Sequence, residues 1–528
     1  MPDCDVLIIG SGPAGAHAAQ ALVESGVTVL MLDGGNDAPK ALAEAPDRNF
    51  ADVRRNDTDQ YRWFLGDDLS GIPVEGLTGG LGGGQVSGNR SYVVRGADHA
   101  LPLHLKNCQV IQSLAKGGLG AAWGAACAIL DEGELFTLGL NAAEMQQHYD
   151  AVIERIGVSG APVRPGIQPA LKMDHHAARA LAAYGRKKKR FDADLLSVQQ
   201  PLSAVLTKDL GDRRATAYAD MDYWADPRRS VYRPQFTVEE LERRPNFHYK
   251  GGFVVDRIEE TAAEAVVYAH GRGPVAGLET FSAKRVILAA GAVNSARILL
   301  RSKHLYDTPQ PFVGKPHVFS ACLDWKSLGN AGPDERVSLC QLLVVDERRR
   351  GGMQSGCAQL YGYRSLQLFR LLGSAPAALP EAMRVLAALT PSLVIADIRF
   401  PAFAVPHNTL KLKRNGSMDI SMDVRGTERD ERDRTWKRLR NALSQLGLPA
   451  VKNMTLPEAS SSHYAGTIPQ STDDRIPLTT DAAGKVRQCS RVWVADASVL
   501  PCLPAKPHTL TVMANARRIA LEARKTLG

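Results

Sequence analysis

The stretch "DVLIIGSGPAGAHAAQALVESGVTVLMLDGG", residues 5–35, sets how this chain begins to fold. A β-branched and leucine run predicts a strand, a glycine turn follows, an alanine-rich run predicts a helix, and "VTVLMLD" predicts a second strand. That order gives meaning to a GxGxxG spacing that is weak by itself. Gly10 permits the tight turn, Gly12 lets the backbone approach a pyrophosphate, and Gly15 lets helix and strand pack closely. Pro13 and Ala14, between Gly12 and Gly15, are counted with these glycines as candidate cofactor-binding residues. Asp33, 18 residues past Gly15, is placed to accept a hydrogen bond from an adenosine ribose hydroxyl.

This fingerprint does not separate NAD from FAD, so a second dinucleotide contact decides between them. "AKRVILAAGAVNSARILL", 283–300, reads as a strand, a turn at Gly291 and a helix, preceded by the strand pair "FHYKGGFVVDRIEE" and "AAEAVVYAHG". "RVWVADASVLPCLPAKPHTLTVMANARRIALEA", 491–523, reads as a strand ending at Asp496, a proline-punctuated loop and a closing helix. An FAD protein fits these pieces better than a simple dehydrogenase.

Four pieces in this order, the N-terminal fingerprint, "AKGGLGAAWGAACAIL" at 115–130, "ILAAGAVNSARIL", and the C-terminal pair "SHYAGT" and "VADASVLPCLPAKPHTLTVMANARRIA", resemble the glucose-methanol-choline oxidoreductases, FAD-dependent alcohol oxidases and dehydrogenases. The resemblance covers the FAD-binding parts and implies an α/β fold: a discontinuous Rossmann-like FAD domain, 1–130, 241–300 and 480–528, with an interleaved α+β substrate domain, 131–240 and 301–479. It places Gly117, Gly118 and Trp123 against the pyrophosphate and isoalloxazine, Val254 at the adenine, and Asp496 at the ribityl or pyrophosphate region. Some relatives carry a histidine covalently bonded to the flavin just before the tryptophan; here that position is Ala122, which implies non-covalent FAD.

The resemblance also assigns a role to "SSHYAGTIPQ", 461–470. Its His-x-x-Gly-Thr element makes His463 the general base, and "PHTLT" offers His508 to hold the substrate oxygen. Hydride transfer from an alcohol to flavin N5 is hard unless the hydroxyl proton leaves too, and a neutral imidazole with an ordinary pKa near 6.5 suits that task. A rate rising with pH through a histidine-like titration is the corresponding expectation. Thr509 is a candidate N-cap of the closing helix, and the Thr509 and Leu510 N–H groups are candidate donors to the flavin N1 and O2 edge. The chain departs from the family in reading Pro507-His508 where Asn-Pro is commoner, and Ile468-Pro469 where Arg-Met is usual. Tyr464 and Trp123 are expected to line the substrate pocket. Alcohol oxidation, of a sugar or hydroxylated natural product with oxygen or a quinone or protein as acceptor, competes with two alternatives: a lyase or decarboxylase on the same fold, and a non-catalytic flavoprotein subunit.

The rest of the chain bounds these readings. Its 528 residues, 44% hydrophobic and 23% charged with a net charge of +8, are those of a large globular protein. The basic run "RKKKR", 186–190, reads as a solvated face near a helix end; no basic face with interleaved aromatics suggests nucleic acid. Eight scattered cysteines signal neither a metal site nor a disulfide framework, and together with an N-terminus lacking a signal-peptide pattern they suggest the cytoplasm. The apolar tract 385–396 is too short to span a bilayer, while 363–384 mixes leucines and arginines, either as a core-facing helix or as a peripheral membrane contact. "TERDERDRTWKRLRNALSQLGLP", 427–449, predicts an amphipathic scaffold helix with Thr427 and Asp430 as a capping pair, and the glycine-dense 78–90 predicts a loop, either a lid or a surface segment. Oligomeric state is left open.

Overall fold

A computed structural model describes residues 3–67, 69, 86, 88–161, 166–222, 224–273, 277–330, 335–362 and 389–527. Its larger sheet has seven strands, in the order Phe253–Glu260, Ala265–Gly271, Gly277–Leu288, Cys4–Ile9, Val29–Leu32, Phe247–Lys250, with Val492–Val494 also pairing Gly277–Leu288. Cys4–Ile9 runs parallel to both neighbours, in register Ile9 to Leu288 and Ile9 to Leu32. These central strands are buried on both faces, which is why they read as continuous apolar runs rather than alternating ones. Helices Pro13–Glu24 and Thr509–Arg524 pack on each other against this sheet, bringing the first and last elements of the chain together.

The second sheet has six strands, all antiparallel: Ala450–Thr455, His317–Leu323, Leu393–Arg399, Met353–Gly362, Leu342–Arg350 and Leu196–Gln199. Its residues alternate between two environments. Leu342, Val344, Ala358, Leu360, Val394, Ala396 and Ile398 pack with Ala177, Ala180, Leu439, Ala442 and Leu443 of helices His175–Ala193 and Gly426–Gln445. The intervening positions, His317, Gln359, Asp397 and Arg399 among them, turn to the opposite face, from which Gln359 and Arg399 reach a large cavity.

Three local expectations need correction or placement. The scaffold helix begins at Gly426 with Arg425 in the cap position and no side-chain cap, so Thr427 and Asp430 do not cap it. The run 186–190 lies toward the C-terminal end of His175–Ala193, with Arg190 in the last turn, and is exposed as a solvated face. Residues 363–384, proposed as an amphipathic segment, and 78–85 and 87 of the glycine-dense loop lie outside the described residues; the loop's other end enters a 3-10 turn, Gly88–Val93. No described helix is long and apolar enough to cross a membrane.

Candidate active site

The first strand delivers the chain into a cradle that only glycine can make. At Gly10 φ is +100° and a Cβ would sit 2.5 Å from Ala289 O, while a Cβ on Gly15 would sit 1.8 Å from Gly10 O. Opposite Gly12, Gly118 comes so close that its Cβ would lie 3.2 Å from Gly12 Cα. Ser11 ties these loops together: its Oγ donates to Asp33 Oδ2 at 2.8 Å and accepts from Gly117 N at 2.8 Å. Asp33 also accepts from Ser11 N, Gly35 N and Tyr249 OH, and burial pushes its pKa up despite these bonds.

Asp496 does a similar job at the other turn. Its carboxylate accepts from Gly291 N at 2.9 Å, from Ser295 Oγ at 2.5 Å and from Ser498, fixing the start of helix Ala292–Ser302 against the cavity. Trp123 is held by its indole N–H on Tyr232 O at 2.6 Å. One continuous cavity runs from Asp33 and Val254, past Gly12, Gly118 and Gly291, to His463 and His508. Two buried acceptors on its wall, Gln112 Oε1 and Asn294 Oδ1, have no partner. A long, glycine-walled channel with unsatisfied polar atoms fits an extended dinucleotide.

At the far end the backbone before His463 is strained. Ser462 is left-handed at φ +61°, a conformation costing a non-glycine residue on the order of 1–3 kcal/mol. The loop is stitched in place by Lys315 N on His463 O at 3.0 Å, Ser461 Oγ on Lys315 O at 2.7 Å, and pairing of Tyr464–Ala465 with Val313–Gly314. Tyr464 OH accepts from Ile111 N at 3.0 Å and its ring stacks on Phe312. The result sets the His463 and His508 rings 4.9 Å apart between centroids, His508 buried and His463 half-buried.

The charges around this pair come from the second sheet and the strand before it. Arg399 Nη1 is 3.5 Å from His463 Nε2, and its Nε and Nη2 are held by Asp397 Oδ2 at 2.8 and 2.7 Å. Asp397 Oδ1 meets His317 Nδ1 at 2.9 Å, and His317 Nε2 meets Ser460 Oγ at 3.0 Å. Lys315, fully buried, places Nζ 2.9 Å from Lys506 O, 3.3 Å from Ala505 O and 3.3 Å from His508 Nδ1. Burial first, then the neighbouring Arg399 and Lys315 cations, hold His463 and His508 well below the ordinary imidazole pKa. Burial also drives Lys315 well below its ordinary value, whereas Asp397, which burial alone would raise, is brought low by Arg399 and His317.

Of the residues singled out from sequence, Gly10, Gly12, Pro13, Ala14, Asp33, Gly118, Trp123, Val254, Gly291, His463, Tyr464, Asp496, His508 and Thr509 line this one cavity. Gly15, Gly117 and Leu510 lie behind its wall. Thr509 is not a cap: it is the first helical residue, His508 occupies the cap position, and no side chain caps the helix. The histidine titration expected near 6.5 also moves, because burial and two cations displace it downward. Sequence reasoning missed Lys315, Gln359, Asp397 and Arg399. A signal was present in "VIADIRF", 394–400, where two charges two residues apart sit in an otherwise apolar strand.

Two family models match the chain: an FAD binding domain over residues 3–41 and a GMC oxidoreductase domain over residues 406–516. The fold is similar to that of pyridoxine 4-oxidase from Mesorbium loti, with a TM-score of 0.56, 15% sequence identity and 99% of each chain covered. A search of curated proteins returns no match. With residues 3–41 matched by an FAD binding domain and residues 406–516 by a GMC oxidoreductase domain, on a fold shared along the whole length of the chain, the findings support an FAD oxidoreductase of the GMC type that acts on CH–OH groups.

Proposed function

We propose that His463 takes the hydroxyl proton of a small alcohol while His508 holds the oxygen from which it leaves. The observation that supports this most strongly is the pair of imidazoles, 4.9 Å apart, at one end of the cavity whose other end is the dinucleotide cradle. FAD, when bound, supplies the two-electron acceptor for the hydrogen on the carbinol carbon. With its pKa held well below the ordinary value, His463 is neutral at pH 7 and ready to accept a proton without first losing one. Arg399, close to Nε2, disfavours the imidazolium that results, so the proton is passed on rather than retained. His508 stands at the N-terminus of Thr509–Arg524, where the helix dipole favours negative charge developing on the substrate oxygen.

The substrate is a primary or secondary alcohol, with pyridoxine the first to try because the fold is that of a pyridoxine 4-oxidase, and sugars and hydroxylated natural products next. Electrons pass to oxygen or to a quinone or protein acceptor. Anaerobic titration of the purified flavoprotein with these alcohols is the test: bleaching of the visible flavin bands is expected and excludes a lyase, and flavin that stays oxidised with every alcohol overturns the reading. Acid precipitation of the same sample is expected to release the flavin to the supernatant, since Ala122 offers no nucleophile for a covalent bond.

A further inference from the structure

We propose that the alcohol carries a second, anionic oxygen, a carboxylate or a phenolate, and that Gln359 and Arg399 bind it. The inference rests on the function proposed above and names the substrate class for that site. Strands Met353–Gly362 and Leu393–Arg399 pair antiparallel with Gln359 opposite Asp397 and Cys357 opposite Arg399, so Gln359, Asp397 and Arg399 share the face that looks into the cavity. Asp397 is consumed by its neighbours, accepting from Arg399 through Oδ2 and facing His317 through Oδ1. This pins the guanidinium plane and leaves Nη1 with only the 3.5 Å approach to His463. Gln359, 2% exposed, has its Oε1 occupied by Tyr361 OH at 2.8 Å, while its Nε2 has no partner.

Among the described residues this corner therefore offers the N–H donors of Gln359 and Arg399, with the side-chain oxygens of Gln359 and Asp397 already engaged. A buried amide N–H left unpaired costs about 1–3 kcal/mol, so the site is incomplete until an acceptor oxygen enters it. A guanidinium beside the amide favours an oxygen that bears charge, since hydrogen bonds between ionised partners are roughly twice as strong as neutral ones. A plain aliphatic or benzylic alcohol has one oxygen, which the two histidines already engage.

The test compares the three hydroxymethylbenzoates and the three hydroxybenzyl alcohols with benzyl alcohol and the hydroxymethylbenzoate methyl esters, reading the rate and apparent Kd of anaerobic flavin bleaching. At least one acidic isomer is expected to exceed its neutral counterpart by about tenfold or more in rate over Kd, the size of one hydrogen bond to a charged group. The carboxylate and phenol series show which anion the corner takes. Gln359→Leu and Arg399→Gln are each expected to collapse that ratio, mainly through Kd, with the flavin content retained. Equal bleaching by acidic and neutral alcohols overturns this inference alone. A preference that survives both substitutions also overturns it, and no bleaching by any of them overturns the proposed function and this inference together.

Discussion

The two ends of the cavity are built on opposite plans. The dinucleotide end is made of backbone: glycines at positions where a Cβ would collide, turns at strand ends, and two carboxylates, Asp33 and Asp496, that spend their lone pairs holding loops and helix starts. The substrate end is made of side chains, a set of His317, Asp397, Arg399, His463, His508 and Lys315 drawn from a sheet and three loops. A backbone cradle tolerates no added atom but asks little of charge. The side-chain cluster tolerates change in shape better than change in charge, because Arg399 and Lys315 help hold both imidazoles low while Arg399 and His317 hold Asp397 low.

Breaking the cradle should therefore have the largest effect. Gly15→Ala puts a methyl 1.8 Å from Gly10 O, a contact no rotamer relieves, and the variant is expected to emerge without bound flavin, read as loss of the visible bands relative to protein absorbance. Full occupancy in that variant would show that the turn can open. At the other end His463→Ala leaves the cradle untouched, so flavin should remain while anaerobic reduction by an active alcohol slows by about 10² or more. Unchanged stopped-flow reduction kinetics would remove His463 as the base.

The same contrast explains what could be read from the sequence. The dinucleotide end was legible because its geometry is local: strand, turn, helix and acceptor carboxylate fall within residues 5–35, and each glycine answers a steric demand a few residues away. His463 and His508 were reached only through a resemblance, since nothing near either of them in the chain specifies a base. The rest of the substrate end was not legible because its contacts are remote; His317 and Asp397 are 80 residues apart and Lys315 and His508 193 apart. Strand pairing creates those contacts, and periodicity does not report register between distant strands. Thr509 shows a smaller limit: a threonine at a helix start looks like a cap, but the backbone turns one residue earlier, at His508.

Lys315 sharpens the comparison on the charge side. Its Nζ lies 3.3 Å from His508, and its cation is one of the causes holding both imidazoles low, after burial and alongside Arg399. Replacing it with methionine keeps the volume and removes the charge. The acid limb of flavin reduction, which in the wild type lies well below 6.5, should then move up toward the ordinary histidine value, with less than about a tenfold change at pH 7. An acid limb that stays in place would mean that Lys315 is already neutral in the folded enzyme.

The smallest effect expected belongs to a buried histidine at the dinucleotide end. His17, in helix Pro13–Glu24, is 1% exposed, meets Tyr232 OH at 3.1 Å, and is held down to about 3 by burial. Its folded pKa is below its unfolded one, so the unfolded chain binds the extra proton between those values; the stabilisation is whole above the unfolded pKa near 6.5 and is lost as pH falls below it. Between pH 6.5 and 5 this one group should remove about 2 kcal/mol. His17→Gln keeps a polar partner for Tyr232 without titrating, so its chemical-denaturation midpoint should fall less over that interval than the wild-type midpoint does. The acid limb of flavin reduction should be the same in both, because His17 faces the core of the FAD half and touches neither imidazole of the substrate end. A shift of that limb in His17→Gln would mean that the two ends of the cavity are electrostatically coupled, and that the division between a backbone cradle and a side-chain cluster does not hold.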